Sequence, residues 1–296
     1  MCVSISKEAQ MARIQCPICS KPLETGQVSW HFLCRNCSYE HASLTPSINT
    51  FEKHAQIDEQ NREHGLAKVR LANFEKLLEQ IKKTQSKEKP RLLDVGCAHG
   101  WFLDLAGNDF EVLGIEPDQA LFDYSKSRGK SVRFGYFPES ILPDEKFDVI
   151  IFNDVIEHIP DIQTVFAACY DKLNIDGILV LNLPNSSGFF YRLSKLLMSL
   201  RLKTPFERMW QKGFPSPHVH YFNQTNLTSL GAKFDFSLAA HGHLATISLK
   251  GLFTRIAYDK SKHPILNFGL FLSVLLLFPF LSALPKDIIF SVFKKT

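Results

Sequence analysis

One stretch of twelve residues, 92–103, constrains the fold of this chain more than any other. It reads Leu-Leu-Asp-Val-Gly-Cys-Ala-His-Gly-Trp-Phe-Leu, so an acid near the end of an apolar run is followed by two glycines and a helical pattern. This order predicts a buried strand, a tight loop and the start of a helix, as in α/β proteins. A nucleotide-like cofactor can lie across such a loop.

The spacing of the glycines and the position of two acids favour a cofactor that has no pyrophosphate. Dinucleotide sites use Gly-x-Gly-x-x-Gly and place the pyrophosphate at a helix N-terminus, whereas Gly96 and Gly100 are separated by three residues. A carboxylate at Asp94 would repel a pyrophosphate but suits a cationic amino group. Glu116 ends the next predicted strand, 110–115, where it could accept hydrogen bonds from a ribose diol.

A third segment, residues 147–161, begins as a continuous apolar strand and ends in Asp-Val-Ile-Glu-His-Ile-Pro-Asp. Together with the two acids, it resembles the class I S-adenosylmethionine (SAM) dependent methyltransferases, in particular the group containing quinone-biosynthesis O-methyltransferases and enzymes that act on small molecules, sugars and lipids. The resemblance covers about residues 91–241 and resumes near Asp287. It implies an α/β domain over residues 90–296, with a Rossmann-like seven-stranded sheet and helices on both faces.

The resemblance also implies a set of residues that bind SAM. One departure from the family pattern is Ala98, where the family commonly has glycine. Alanine can fit there if the backbone keeps a negative φ, and its methyl group would lie near the cofactor. The expected cofactor-binding residues are Asp94, Gly96, Cys97, Gly100, Glu116, Pro117, Tyr136, Phe137, Asn153 and Asp154.

Two Cys-x-x-Cys pairs near the N-terminus predict a small metal module over residues 13–45. Four thiolates suit a tetrahedral Zn²⁺ and leave no coordination position open for chemistry. We therefore expect a zinc ribbon whose ion is structural, with His31 and His41 on its surface, followed by a helical connector and linker over residues 51–89. The expected ligands are Cys16, Cys19, Cys34 and Cys37.

Methyl transfer to a hydroxyl needs a group that removes a proton, and histidine titrates near neutral pH. His158, with its neighbour Glu157, is the first candidate because it follows the fourth predicted strand. His220 is the second candidate, with His218 beside it, because related small-molecule enzymes carry a similar segment near the acceptor pocket. A packing or capping role remains an alternative for His158.

Two segments of the second half favour contact with a membrane. Residues 264–285 are almost entirely apolar, and basic residues flank this segment at Lys260, Lys262 and Lys286. An insertion over residues 186–215 begins with a basic amphipathic stretch, 189–203, that could form a lid or lie at a membrane interface. Burial or an oligomer contact remains an alternative for the apolar segment. Since the last strand, 287–294, must return to the sheet, we do not expect a full span.

The bulk composition places few further limits on function. The chain has 296 residues and a formal charge of only +4, which does not call for a nucleic-acid partner, since a clustered basic face would be expected for one. The N-terminus lacks a signal-peptide pattern, and we expect a cytoplasmic protein that is peripheral or monotopic on the inner membrane face. The expected acceptor is a small or lipid-linked molecule, such as a saccharide or quinone-type intermediate. The alternatives are an RNA methyltransferase that uses the ribbon to contact RNA and a non-catalytic scaffold.

Overall fold

The computed structural model describes residues 15–49, 59–246 and 264–296. Parts of two predicted units, residues 13–14 of the ribbon and 51–58 of the connector, lie outside this description, as do Lys260 and Lys262. The strands form a small sheet and a large one. In chain order they are β1 (Glu24–Thr25), β2 (His31–Leu33), β3 (Glu40–Ala42), β4 (Arg91–Val95), β5 (Glu111–Glu116), β6 (Val132–Phe134), β7 (Phe147–Asn153), β8 (Leu173–Pro184), β9 (His220–Tyr221), β10 (Phe236–Leu244) and β11 (Ile288–Lys295).

The large sheet has the order β10-β11-β8-β7-β4-β5-β6. Strands β4 to β8 pair in parallel, and β11 pairs antiparallel with both β8 and β10. The predicted seven-stranded Rossmann-like sheet is confirmed, and the last strand inserts beside β8 as its pattern indicated. In such a sheet, the carboxyl ends of the parallel strands form the edge at which ligands bind.

Helices cover both faces of the large sheet because each parallel strand is buried on two sides. One buried cluster contains Leu93, Phe152 and Leu181 on one face, and a second contains Leu92, Ile151 and Val180 on the other. The helices are α1 (Glu59–Thr84), α2 (Trp101–Ala106), α3 (Gln119–Ser127), α4 (Ile162–Lys172), α5 (Phe189–Ser199), α6 (Lys203–Met209), α7 (Gln224–Lys233) and α8 (Pro264–Ala283).

The small sheet joins the N-terminal module to the rest of the chain. Strands β1, β2 and β3 form an antiparallel meander, and β3 continues it by pairing with β9. The apolar side chains of the module share one buried cluster with the large sheet, so Phe32 and Tyr39 belong to the same core as Leu93. The N-terminal module is therefore packed into the structure rather than tethered to it.

The prediction that His31 lies on the surface is wrong. Its side chain is buried, its Nδ1 accepts a hydrogen bond from the backbone amide of Gln27, and its Nε2 lies 2.7 Å from Glu40 Oε2. Glu40 also accepts hydrogen bonds from Tyr191 Oη at 2.7 Å and Lys195 Nζ at 2.8 Å, both on α5. This network of hydrogen bonds connects the N-terminal module to α5, which lies in the segment 186–215.

Helix α8 exposes apolar side chains around much of its circumference. Leu276 is 75% exposed and Phe280 is 72% exposed, and Phe268, Leu272 and Leu277 are exposed as well. A helix that is apolar on all sides is normally buried in protein or lipid. Among the helices that the structure describes, none combines the length and hydropathy required to cross a membrane.

Candidate active site

The loop after β4 needs glycine for steric reasons. Gly96 has a φ of +72°, and a Cβ there would lie 2.6 Å from Cγ2 of Val155. Gly100 also has a positive φ, of 71°, immediately before α2, and it shapes the turn without lining a cavity. These conformations bring the loop backbone across the ends of β4 and β5, where Cys97 N donates to the Ile115 carbonyl.

The backbone at Ala98 does not keep the negative φ at which alanine fits without strain. The residue has a φ of +46°, a conformation that glycine adopts with less strain because it has no Cβ. The backbone is held there because Ala98 N donates a 2.7 Å hydrogen bond to Glu116 Oε2. The other carboxylate oxygen of Glu116 accepts from the amide of Asp118, so this acid orders both loops of the site.

Two neighbouring cavities open at the carboxyl edge of the sheet. The smaller has a volume of about 120 Å³ and is lined by Asp94, Cys97 and Asn153, among others. The larger, of about 670 Å³, has walls from the ends of β4 and β5 and from the segments that follow β4, β5, β6 and β7. It contains several of the predicted cofactor residues, namely Gly96, Glu116, Pro117, Tyr136, Phe137 and Asp154. All ten predicted cofactor residues except Gly100 therefore line one of the two cavities.

Three buried acids of these cavities would interact favourably with a cationic ligand. Burial raises the pKa of Asp94 to about 8, although Asn153 Nδ2 donates to its Oδ1 at 3.4 Å. Burial also raises the pKa of Glu116 to about 7 and the pKa of Asp154 above its ordinary range. A bound cation would favour the ionised carboxylates and lower these pKa values. The donor set therefore fits a ligand with a positive amino group beside a ribose.

The sequence reasoning missed a candidate site residue on α1. Arg70 of α1 lines both cavities, and its charge acts on Asp154 and Glu157. An arginine at this junction can pair with a carboxylate. The helical spacing in α1 indicated a packing face, and nothing in the local pattern distinguished Arg70 from the other charged residues of the helix.

Glu157, His158 and His218 line the larger cavity beside the predicted cofactor residues. Their ligating atoms lie within 4.8 Å of one another, so they could share a proton or a cation. Nδ1 of His158 donates to the Pro217 carbonyl at 2.9 Å, which leaves the lone pair of the neutral ring on Nε2, 3.9 Å from Glu157 Oε1. Burial and the charge of Asp154 raise the pKa of Glu157.

The structure places His220 away from this cavity. Its side chain is only 2% exposed, its Nε2 donates to the Ile159 carbonyl at 2.8 Å, and its Nδ1 accepts from the hydroxyl of Tyr39. Burial, with the charge of His41, lowers the pKa of His220 to about 3. Because both ring nitrogens are engaged and the ring stays neutral, we correct its predicted acceptor-side role to a structural one that links the N-terminal module to the site.

The four predicted metal ligands lie together at one end of the module. Their sulfur atoms are 3.5 Å apart for Cys16 and Cys37, 3.4 Å for Cys19 and Cys34, and 3.7 Å for Cys19 and Cys37. Tetrahedral Zn²⁺ with Zn–S bonds of about 2.3 Å requires sulfur–sulfur separations of roughly 3.8 Å. The donor set and its spacing therefore fit a closed zinc site.

Comparison with known proteins agrees with this geometry. A family profile described as a methyltransferase domain matches residues 60–241. The chain belongs to this methyltransferase family. Its fold and the resemblance of its motifs make it a class I SAM-dependent methyltransferase.

Curated relatives of this methyltransferase match over parts of their length. A probable SAM-dependent methyltransferase of Mycolicibacterium smegmatis is 31% identical over 33% of this chain and 39% of its own length. The ubiquinone biosynthesis O-methyltransferase of Bradyrhizobium diazoefficiens is 26% identical over 35% of this chain and 44% of its own length. This methyltransferase thus spans less than half the length of these two relatives.

Solved structures show the same fold at low identity. The cyclopropane synthase MmaA2 of Mycobacterium tuberculosis superposes with a TM-score of 0.53 and 16% identity, covering 86% of this methyltransferase and 90% of that chain. Magnesium protoporphyrin IX methyltransferase from Synechocystis, solved with bound SAH, has a TM-score of 0.51 and 12% identity, covering 82% and 90% of the two chains.

Proposed function

We propose that this protein methylates a hydroxyl group on a small, mainly apolar acceptor, such as a quinone-type or lipid-linked intermediate. The observation that carries the proposal is the larger cavity, which joins the cofactor residues to the Glu157–His158–His218 cluster in one space. The relatives named as ubiquinone biosynthesis O-methyltransferases support a hydroxyl acceptor of this class.

Each end of the cofactor has a complementary group in this chain. The buried carboxylate of Asp94 suits the amino group, and Arg70 suits the carboxylate of the same methionine moiety. Glu116, which already orders the Ala98 amide, would accept from the ribose, and Tyr136 and Phe137 would flank the adenine. When bound, SAM supplies a methyl group attached to a positively charged sulfur. After transfer of the methyl group, the sulfur remains as the neutral thioether of SAH.

His158 is the proposed base. Its Nε2 would take the proton of the acceptor hydroxyl, so that the oxygen attacks as an alkoxide-like nucleophile. The imidazolium that forms would face Glu157, whose carboxylate is buried and has no hydrogen-bond partner in the described part of the chain. Its ionised form would be favoured by this new positive charge. His218 packs against His158 with ring centroids 4.8 Å apart and holds the ring in place.

The test is transfer of tritiated methyl from SAM to 4-nonylcatechol, a phenolic probe with an apolar tail. We expect His158→Gln to reduce kcat by about 10²- to 10⁴-fold, the usual contribution of a general base. The exposed His241 is the matched control, and His241→Gln should keep full activity. Equal rates for wild type and His158→Gln would contradict the role of His158 as the base. The absence of labelled product with wild type would contradict the proposed class of acceptor.

We further propose that the four cysteines hold Zn²⁺ as a structural ion. The sulfur spacing supports this assignment, as does the burial of Cys16 and Cys34, which leaves no room for substrate at the ion. Metal analysis of the purified protein should give about one zinc per chain. A Cys34→Ser variant that keeps its zinc would contradict the ligand set.

The proposed site of action is the inner face of the membrane. Support comes from the exposed apolar side chains of α8 and from three more on and just after α5, Leu196, Leu200 and Leu202. Apolar side chains that protrude from a helix can insert at the lipid interface, and nearby Lys and Arg can contact anionic headgroups.

The membrane assignment is tested by flotation with vesicles of phosphatidylcholine and phosphatidylglycerol. The double variant Leu276→Glu with Phe280→Glu should stop the protein from floating, because two charges would have to enter the apolar layer. Ile175→Glu is the control and should float like wild type. Ile175 is 89% exposed and lies near the amino end of β8. Wild-type protein that stays at the bottom of the gradient would contradict the assignment.

A further inference from the structure

A short segment crosses the larger cavity between the zinc module and the cofactor loop. We call residues 43–49 the strap. It leaves the module at Ser43, whose amide donates to the Trp30 carbonyl at 2.9 Å. Its residues Thr45, Pro46 and Ile48 line the larger cavity. No feature of the sequence assigned these residues to the site.

The strap is fastened at both walls of the cavity. On the acceptor side, Ser47 N donates to the Pro215 carbonyl at 2.7 Å. On the cofactor side, Asn49 Nδ2 donates to the Pro117 carbonyl at 2.7 Å, and Asn49 Oδ1 accepts from the Gln119 amide at 3.2 Å. The strap therefore bridges the loop after β5 and the end of the 186–215 insertion.

The N-terminal module is connected through Val219 to the backbone of Glu157, the residue before the proposed base. The carbonyl of Val219 accepts from the Ala42 amide at 3.0 Å, while its own amide donates to the Glu157 carbonyl at 2.8 Å. A second connection runs from Tyr39 through His220 to the Ile159 carbonyl. The module thus holds both the strap and the backbone on which the acceptor side is built.

The chemistry of this wall indicates what it would bind. Pro46 and Ile48 face a lining that includes Ile159, Phe214 and Pro215, all apolar. A flat apolar ring is favoured in such a space because its burial releases water and leaves few polar groups unpaired.

We propose that the strap is the acceptor-binding wall of the enzyme and that the zinc module positions it, so that metal controls acceptor binding but not cofactor binding. The acceptor assignment rests on the proposed function, whereas the dependence of the strap on metal does not. The strap residues that contact the acceptor are Thr45, Pro46 and Ile48, and Asn49 is a positioning residue.

Hydrogen–deuterium exchange on the whole protein tests the dependence on metal without any acceptor. We expect Cys34→Ser to speed exchange in residues 43–49 and 215–221 by at least about tenfold, the effect of losing one or two hydrogen bonds. Exchange in β4 and β5 should speed up by a clearly smaller factor, because those strands report only the change in global stability. Unchanged exchange in the strap would overturn the proposal, and so would an equal loss of protection in β4 and β5, because the module would then be part of the global fold only.

Binding measurements test the acceptor wall and do not depend on turnover. Asn49→Gly removes both side-chain hydrogen bonds and keeps the backbone, since Asn49 already has a φ of +67°. We expect Asn49→Gly and Cys34→Ser to weaken binding of 4-nonylcatechol to the SAH-loaded protein by about tenfold, with SAH binding weakened by less than about threefold. Lys89→Gly, another exposed residue with a positive φ, is the control and should change neither affinity.

The outcomes separate the two proposals. Parallel loss of SAH and catechol affinity would overturn the strap proposal while leaving methyl transfer intact. A wild-type protein that binds SAH but not 4-nonylcatechol would overturn the apolar acceptor wall. Absence of methyl transfer, with strap exchange that still depends on zinc, would count against the proposed function and support the coupling of module and strap.

Discussion

The two halves of the active site are built in different ways. The cofactor side comes from the ends of neighbouring parallel strands, and its acids, Asp94 and Glu116, lie within 22 residues of each other in the sequence. The acceptor side is assembled from the strap, from the end of the insertion and from the segment around Val219, so residues about 170 positions apart meet there. The cofactor side is built from short strand-and-loop units that follow one another along the sheet. The proposed acceptor side depends on hydrogen bonds between segments that are far apart in the sequence.

This difference predicts how each half responds to damage. Changes on the cofactor side should alter ligand binding while leaving the fold intact, because each side chain there projects from a strand end. Changes in the N-terminal module should alter stability and acceptor binding together, because the module is part of the same buried cluster as the large sheet. The following variants test that division, from the largest expected effect to the smallest.

The largest effect is expected from the buried network of Glu40. Burial raises the pKa of this acid, but the hydrogen bonds and charges of His31 and Lys195 together lower it below its usual value. Glu40→Ala would leave Lys195 without its counter-charge and the buried His31 Nε2 and Tyr191 Oη without their hydrogen-bond partner, and breaking a buried pair costs about 3 to 5 kcal/mol. Urea denaturation measures the loss.

The exposed pair of Glu24 with Arg35 is the control for this variant. Glu24→Ala should change the free energy of unfolding by less than about 1 kcal/mol. Equal effects of the two variants would show that the Glu40 network does not stabilise the packing of the module. A large fall in SAH affinity in folded Glu40→Ala would contradict the separation of the two halves, because the change lies outside the cofactor side.

The next effect concerns Asp94. Asp94→Asn keeps the shape of the side chain but removes its charge, so we expect SAH binding to weaken by about 10- to 100-fold, the worth of one charge-assisted hydrogen bond. Calorimetric titration gives the affinity. The exposed Asp144 serves as the control, and Asp144→Asn should bind SAH as wild type does. If Asp94→Asn bound SAH with the affinity of wild type, the amino group of the cofactor would not be held by Asp94.

A smaller effect is expected from proton release. The folded pKa of Asp94 is raised to about 8 from an ordinary 3.8, so this group stabilises the free protein below pH 4 and the stabilisation is lost as the pH rises through 8. At pH 7 the carboxyl is protonated, and a bound ammonium should release up to about one proton.

Titration of SAH in buffers with different ionisation enthalpies counts these protons. Release should approach zero at pH 9.5, where the acid is already ionised, and should fall in Asp94→Asn at pH 7. A proton count that does not change between pH 7 and 9.5 would be inconsistent with an acid held in its neutral form.

The smallest effect is expected at Ala98. Glycine relieves the strain of a residue with a φ of +46° but gains freedom in the unfolded chain, so Ala98→Gly should stabilise the protein by up to about 1 kcal/mol. SAH affinity should rise slightly because a methyl group leaves the cavity edge. Destabilisation by this variant would mean that the alanine side chain contributes packing that outweighs the strain.

The cofactor side could be predicted because its signals are local. A strand, a glycine turn and an acid occur in one short window for Asp94, and the same holds for Glu116, so their meeting at the sheet edge follows from parallel topology. The four N-terminal cysteines could be predicted as ligands for a similar reason, since each Cys-x-x-Cys pair is complete within four residues.

The acceptor side could not be predicted because its contacts join distant segments. The pairing of β3 with β9 places His220 against His41 and Tyr39, and no periodicity in either segment indicates a partner about 180 residues away. Arg70 and the strap were missed because their roles depend on which cavity they face, which is set by the packing of α1 and of the zinc module.

The central claim is that one cavity has a cofactor side built by the sheet and an acceptor side completed by the strap. The most direct measurement is a hydrogen–deuterium exchange footprint, taken first with SAH and then with SAH plus 4-nonylcatechol. SAH alone should protect residues 94–100 and 116–118, and the catechol should add protection at 43–49 and 211–218. Protection by SAH confined to the zinc module, or catechol protection that leaves the strap unchanged, would contradict the account.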